Sequence, residues 1–337
     1  MSLPANPLLV VEELTIEFAA ENGGWVPVVE RISFRVDRGE VVALVGESGS
    51  GKTVTSLALL GLLGARNGRV ARGSILFDGL ELVGLTGVAW RRIRGKRVGM
   101  IFQDPIGALN PAFTVGDQIA ETVRTHTGVS RRKAWTHAVE MLRRVRIPNP
   151  ERRAHDYPHM LSGGMCQRVM IAQALACAPD LLIADEPTTA LDMTIQAAIL
   201  RLVRQIQLET GISLLLITHD LGVVAEMADR VIVLYAGQVV ESGSAADVLT
   251  RPVHPYTEAL LGAIPKGNTR TLVTVPGMAP NPGQISVGCR FAPRCRYALP
   301  LCRSRDPELQ ALGNGRASRC LRVDDLYAFA TTQGAQM

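Results

Sequence analysis

The segment VVALVGESGSGKT, residues 41–53, decides how the rest of the chain is read. Val41 to Val45 is an unbroken apolar run, the pattern of a strand buried on both faces of a sheet. It passes straight into Gly46-Glu47-Ser48-Gly49-Ser50-Gly51-Lys52-Thr53, which fits G-x-x-x-x-G-K-[ST], and then into the apolar helix SLALLGLL. The glycines let backbone N–H groups turn inward around phosphate oxygens, and the helix that follows adds its positive end. Lys52 supplies a point charge to the β- and γ-phosphates, and Thr53 offers a hydroxyl to magnesium. An ordinary glycine-rich turn is the plain alternative, but the strand before and the helix after argue against it. The segment reads as a nucleoside triphosphate site.

A second buried run, LLIAD, ends in Asp185, the position from which a P-loop protein holds magnesium, usually through water. Glu186 follows at the strand's carboxyl end, where ligands sit in open α/β sheets; a carboxylate there can orient the attacking water or take its proton. A third run, ISLLLITH (212–219), ends in His219 with Asp220 beside it. Alone, a strand-end histidine is more often structural; beside this site His219 reads as a γ-phosphate contact. Gln103 follows GMIF (99–102) and precedes Asp104-Pro105; its neutral amide can ligate magnesium, and an ordinary strand-end glutamine is the alternative.

Between the second and third runs, QAAILRLVRQIQLE has helical periodicity. Strands alternating with helices predict an α/β fold with a parallel sheet covered on both faces. Segments 8–18 and 28–36 alternate like half-buried strands, with a break at Gly23-Gly24. From about 105 to 178 no strong strand is expected. There Ala134, Trp135, Ala138, Met141, Leu142 and Val145 fall on one helical stripe, opened by Ser130 and stopped by Pro148, so the stretch reads as a helical insertion. VIVLYAGQVVESG (231–243) reads as a hairpin turned at Ala236-Gly237. After Arg251-Pro252 the texture becomes rich in Pro, Gly and Arg, so a boundary is expected near 253, dividing 1–253 from 254–337.

The 337 residues allow one large domain or two, and 47% hydrophobic against 20% charged residues supply a sizeable core. No apolar run reaches the roughly 18 residues that span a bilayer. The start, MSLPANPLLVVEEL, has no basic stretch and no long apolar segment, so no secretory signal is expected and a cytoplasmic location is. A net charge of +5 permits an anionic partner, while 4% aromatic residues weaken any reading built on base stacking.

Added to these elements, Leu161-Ser162-Gly163-Gly164-Met165 ahead of the helix MCQRVMIAQALA resembles the LSGGQ signature of ATP-binding cassette (ABC) subunits. The resemblance covers residues 8 to about 250. It implies a P-loop NTPase with a RecA-like parallel core, an N-terminal antiparallel β subdomain and an inserted helical subdomain. It further implies that Ser162, Gly163 and Gly164 complete the ATP site of an opposite subunit, and that Thr189-Ala190-Leu191-Asp192 is a loop crossing the dimer interface. Phe18 stands where the family places an adenine-stacking aromatic, with strand core as the competing explanation. Met165 departs from the signature's Gln.

GESGSGKT, IFQDP…ALNP, YPHMLSGGM, ADEPTTALD and HPYTEALLGAIP (254–265) together are similar to ATPase subunits of dipeptide and oligopeptide importers, the dipeptide-type first subunit most of all. This implies MgATP hydrolysis powering import through two transmembrane permease subunits, which the family contacts through Gln103 and residues 104–127. The implied companions are a paralogous ATPase in a heterodimer and, indirectly, an extracytoplasmic peptide-binding protein, at the cytoplasmic face of the inner membrane. Importers of nickel or another small solute are the nearest alternative. A soluble ABC ATPase acting on nucleic acid is opposed by the single cassette, the few aromatics and the 254–265 segment, so no nucleic acid partner is expected.

The late cysteines Cys289-x5-Cys295-x6-Cys302-x17-Cys320 contain no C-x2-C pair, which disfavours a zinc ribbon. Four thiolates suit a 4Fe–4S cluster, one per iron. Arg290, Arg294, Arg296, Arg303 and Arg319 each adjoin one of them, and cations there should lower the thiol pKa and stabilise an anionic cluster. An arginine-rich tail with incidental thiols, or disulfides, are the alternatives. The spacing is similar to that of peptide-importer relatives, some of which bind such a cluster. Cys166 and Cys177 read as core thiols, and the basic run 91–97 as a solvated face, with a lipid-headgroup contact as the alternative.

Overall fold

Buried apolar strands and capped helices account for both halves of the chain. The computed structural model describes residues 7–21, 23–64, 67–189, 192–263, 275, 277–284 and 287–325. The described residues within Met1–Leu8, Val36–Glu40 and Gly84–Ile217 form one compact unit, and those within Leu9–Arg35, Val41–Val83 and Thr218–Met337 form a second.

In the first unit the strands Val98–Ile101, Leu181–Asp185 and Ser213–Thr218 run parallel, with Leu181–Asp185 between the other two. Every residue of Leu181–Asp185 and of Ser213–Thr218 is buried. Parallel strands are covered on both faces, which is why both read as continuous apolar runs. From 105 to 178 no described residue lies in a strand. The helices Val115–Thr127, Arg131–Arg144 and Gly163–Leu175 pack on one another there. Each opens on a hydroxyl cap: Thr114 accepts the Asp117 N–H at 3.2 Å, Ser130 that of Lys133 at 3.4 Å, and Ser162 that of Met165 at 3.3 Å. Ala134, Ala138, Met141, Leu142 and Val145 are buried, whereas Trp135 lies at the edge of the stripe, half-buried against the His155 ring. The helix stops before Pro148 is reached, because Arg146 turns left-handed (φ 61°) and Ile147 N–H closes back on Leu142 O at 3.0 Å.

In the second unit, Trp25–Asp37, Pro7–Ala19, Gly68–Phe77 and Leu80–Glu81 are neighbours in that order in a sheet, with Leu9 opposite Phe77 in an antiparallel pair. Val41–Val45 pairs in parallel with Arg230–Tyr235, which turns through Ala236 and Gly237, both left-handed, into antiparallel Gln238–Ser244. Left-handed backbone at both turn positions is what a two-residue hairpin requires. The C-terminal strands Arg316–Ser318 and Gln310–Gly313 then add to Gln238–Ser244, so the chain after residue 253 extends this sheet.

Glu241, fully buried, anchors that join. Its carboxylate accepts the Val253 N–H at 2.9 Å, the His254 N–H at 2.8 Å and the Arg316 guanidinium at 2.9 Å. It thereby sets the start of the helix Pro255–Gly262, which His254 caps through Nδ1 and the Tyr256 N–H. Burial holds the His254 imidazole neutral, its pKa pushed down to about 3. Glu241→Ala leaves two N–H groups buried without their acceptor and the Arg316 guanidinium without its counter-charge, so a loss of about 3–5 kcal/mol in denaturant unfolding is expected; a loss below about 1 kcal/mol removes Glu241 from this role.

Candidate ATP site

The loop after Val45 is built around positions that reject a side chain. A Cβ on Gly46 would lie 2.2 Å from Leu234 O, and one on Gly51 (φ 102°) would lie 2.8 Å from a Val29 methyl. Lys52 is buried, and its Nζ donates to Gly46 O at 2.8 Å and Glu47 O at 3.0 Å, so the ammonium is seated across the loop. Ser50 Oγ is buried with no protein partner among the described residues. A glycine cradle, a seated cation and a buried hydroxyl with unused capacity fit a triphosphate. Ser48 and Gly49 are exposed at the tip, and Thr53 is half-buried in the first turn of the helix Lys52–Leu59. Gly237 braces the loop, its N–H donating to Ser50 O at 3.0 Å; a Cβ there would meet Val28 O at 2.3 Å.

Glu47 behaves differently from its neighbours. Its N–H donates to Tyr256 Oη at 2.8 Å, and its carboxylate takes two bonds from the Arg294 guanidinium, at 2.9 and 3.1 Å. These contacts join the phosphate loop to residues far along the chain, and nothing in the motif itself announces them.

In the first unit, Asp185 is buried at the end of its strand and Glu186 turns out of it in left-handed backbone, φ 46°. A glutamate held there stores strain of the kind that clusters at functional sites. Glu186 Oε2 accepts from Gln103 Nε2 at 3.3 Å and from Thr189 Oγ1 at 2.9 Å. Gln103 therefore presents its amide N–H₂ to the carboxylate, and its carbonyl oxygen is an acceptor of the kind a hard cation takes.

Ser162 N-caps the signature helix, and Gly163 has open space where a side chain would be. Gly164 is small for a packing reason: a Cβ there would lie 2.9 Å from Ile195 of the helix Met193–Thr210. Asp192 caps that helix, accepting the Ile195 N–H at 3.0 Å; Ala190 and Leu191 lie outside the described residues, as do Ile264 and Pro265.

In the second unit, His219 is exposed one residue past the strand, and Asp220 caps the helix Leu221–Met227 by accepting the Gly222 N–H at 2.8 Å. Phe18 lies opposite Gly68 with its ring over that glycine, half-buried, so part of the ring is spent on the sheet.

The four late cysteines line a single pocket with His254, Phe291 and Tyr297. Among the described residues no three Cys, His, Asp or Glu groups converge on one metal ion. The expectation that flanking arginines lower the thiol pKa is corrected. Burial pushes Cys289 and Cys320 up to about 11 and raises Cys295. Four of the five guanidiniums are engaged elsewhere: Arg290 with Glu30 and Ala236 O, Arg294 with Glu47, Arg296 with Glu258, and Arg319 with Val239 O and Pro307 O. Cys166 is a buried core thiol, as expected, and Cys177 is partly buried.

A strand-borne phosphate loop, an acidic strand tip and a serine-capped signature helix define an ABC-type nucleotide-binding cassette. The ABC transporter family model matches residues 29–189, and the model of the oligopeptide/dipeptide transporter C-terminal region matches 240–302. "Probable peptide ABC transporter ATP-binding protein y4tR" of Sinorhizobium fredii is 47% identical over 97% of this chain and 99% of its own length. "Putative peptide import ATP-binding protein BAB2_0817" of Brucella abortus is 48% identical over 96% of this chain and 99% of its own. Among solved structures, the dimeric bacterial ABC transporter cassette MJ0796 is 27% identical with a TM-score of 0.62, covering 70% of this chain and 98% of its own. The cbiO1 protein of Clostridium perfringens, part of the cbiONQ ABC transporter complex, is 28% identical with a TM-score of 0.60, over 72% and 90% of the two chains. The chain belongs to the ATP-binding subunits of the ABC transporter family, and it carries the C-terminal region of the oligopeptide/dipeptide type.

Proposed function

We propose that this chain hydrolyses MgATP to power import of dipeptides or oligopeptides through separate membrane permeases. The observation that carries the reading is the match of 47–48% identity with peptide-import ATP-binding proteins, which runs the length of the chain and takes in the 240–302 region. Gly46 to Thr53 cradle the phosphates, with Lys52 as the cation over the β- and γ-phosphates. Thr53, Asp185 and the Gln103 carbonyl are the groups that would hold magnesium, whose charge offsets that of the transferring phosphoryl group. Glu186 orients the attacking water and takes its proton, His219 contacts the γ-phosphate, and Phe18 offers the free part of its ring to the adenine. Ser162 and Gly163, at the start of a helix, and Asp192 face the nucleotide of a second cassette, a paralogous ATPase in a heterodimer.

No helix among the described residues is long and apolar enough to cross a membrane. By its likeness to peptide-import ATP-binding proteins the chain is assigned to the cytoplasmic face of the inner membrane, bound to two permease subunits and served indirectly by a peptide-binding protein. Cys289, Cys295, Cys302 and Cys320 are assigned to a 4Fe–4S cluster. What supports this is four sulfurs around one pocket, with backbone N–H groups on Cys289, Cys295 and Cys320, that of Arg322 at 3.4 Å from Cys320 Sγ. When bound, the cluster supplies a covalent staple among segments with little regular structure.

The test is to purify the chain from solubilised membranes, identify its companions, and measure iron and acid-labile sulfide on the same sample. Two permeases, a second ATPase and about four irons per chain are expected. Purification alone or with nucleic acid overturns the transport reading, and transport-coupled hydrolysis stimulated by a metal rather than by peptides moves the cargo to the nickel class. Iron-free active complex removes the cluster alone.

A further inference from the structure

Glu47 is gripped on three sides: its N–H by Tyr256 Oη, its carboxylate by Arg294, and its carbonyl by Lys52 Nζ. The Arg294 side chain is 6% exposed and that of Glu47 27%, so the pair is screened by little water. Arg294 is itself fixed. It donates to Tyr235 Oη at 3.3 Å and to Val275 O at 3.4 Å, and Tyr235 packs on Tyr256 and Phe291 with ring centroids 4.5 and 5.2 Å away. Tyr256 is fully buried. The Arg294 and Tyr256 arms of the grip are thus supplied preorganised by the C-terminal region and braced by Tyr235, with Arg294 directly preceding the pocket cysteine Cys295.

A carboxylate in the loop is a liability for a site that must receive a triphosphate, because like charges within a few ångströms repel strongly where water is sparse. A bidentate guanidinium removes that liability and holds the carboxylate in one place.

We propose that Arg294 and Tyr256 are positioning residues of the ATP site, so that the C-terminal region sets the affinity of the phosphate loop for MgATP through Glu47. The proposal rests on the ATPase reading given above. It is tested on the purified full-length complex by comparing KM for MgATP and kcat in Arg294→Met, Arg294→Lys, the double variant Arg294→Met with Glu47→Gln, and Tyr256→Phe. Arg294→Met is expected to raise KM about tenfold with kcat within about twofold, the loss of one charge-assisted interaction. Adding Glu47→Gln removes the uncompensated carboxylate and is expected to recover most of that loss; Arg294→Lys recovers part, since an ammonium restores charge without the bidentate fork. Tyr256→Phe keeps the buried ring and deletes one acceptor, for a rise of about threefold in KM. It also serves if Arg294→Met does not assemble. Unchanged KM in Arg294→Met or Tyr256→Phe overturns the proposal, as does a double variant no better than the single one. Failure of the unaltered complex to hydrolyse MgATP sinks the ATPase reading itself, a result distinct from any of these.

Discussion

Replacing Glu186 with glutamine is expected to leave MgATP binding within about twofold of the original while turnover falls by about 10²–10⁴. The substitution keeps the length of the side chain and an acceptor for the Thr189 hydroxyl, now 2.9 Å from Glu186 Oε2. What it removes is the ability to take a proton. It also sets the Gln103 N–H₂ against a group no longer charged, which weakens the 3.3 Å bond between them. Phosphate release at saturating MgATP, together with titration of a fluorescent nucleotide, separates the two effects. Turnover at the original rate would take Glu186 out of the reaction.

Lys52→Ala attacks the other half of the chemistry, and here binding itself is expected to fail. Its Nζ is seated on Gly46 O and Glu47 O, so truncation deletes the cation and leaves two carbonyl dipoles turned toward an incoming polyanion. A weakening of MgATP binding of about 10²-fold is expected, roughly 3 kcal/mol, the scale of losing one preorganised donor in a dry site. Equilibrium nucleotide titration measures it, and an unchanged unfolding midpoint shows that the loop still folds. Binding within about threefold of the unaltered chain would mean that backbone N–H groups alone carry the phosphates.

The parts of the fold that sequence reading recovered share one property: their signal lies within a few residues. Val41–Val45, residues 181–184 and the core of 212–219 are strands because every side chain in them is apolar and both faces are covered. Ser130 and Ser162 cap helices because a hydroxyl three residues ahead of a free N–H is enough. Asp220 was visible beside His219, and its role proved equally local, the cap of the next helix.

Other features escaped because they depend on what the fold brings near. That Ile195 also excludes a side chain at Gly164 is invisible in the signature, because the helix that carries Ile195 comes near only in the fold. The arginines beside the cysteines are neighbours of the thiols in sequence only. A guanidinium on a long stem goes to the nearest acceptor in space, and burial, which only tertiary packing sets, outweighs it and raises the thiol pKa values.

From the order of its residues alone the chain declares a phosphate loop, an acidic strand tip and a signature helix, because each is complete within a single turn or strand end. The tether on Glu47 was decided in three dimensions: Tyr256 stands 209 positions away and Arg294 stands 247 away. No local pattern encodes a partner at that distance, since only the assembled sheet and the rings packed against it bring the hydroxyl and the guanidinium within reach.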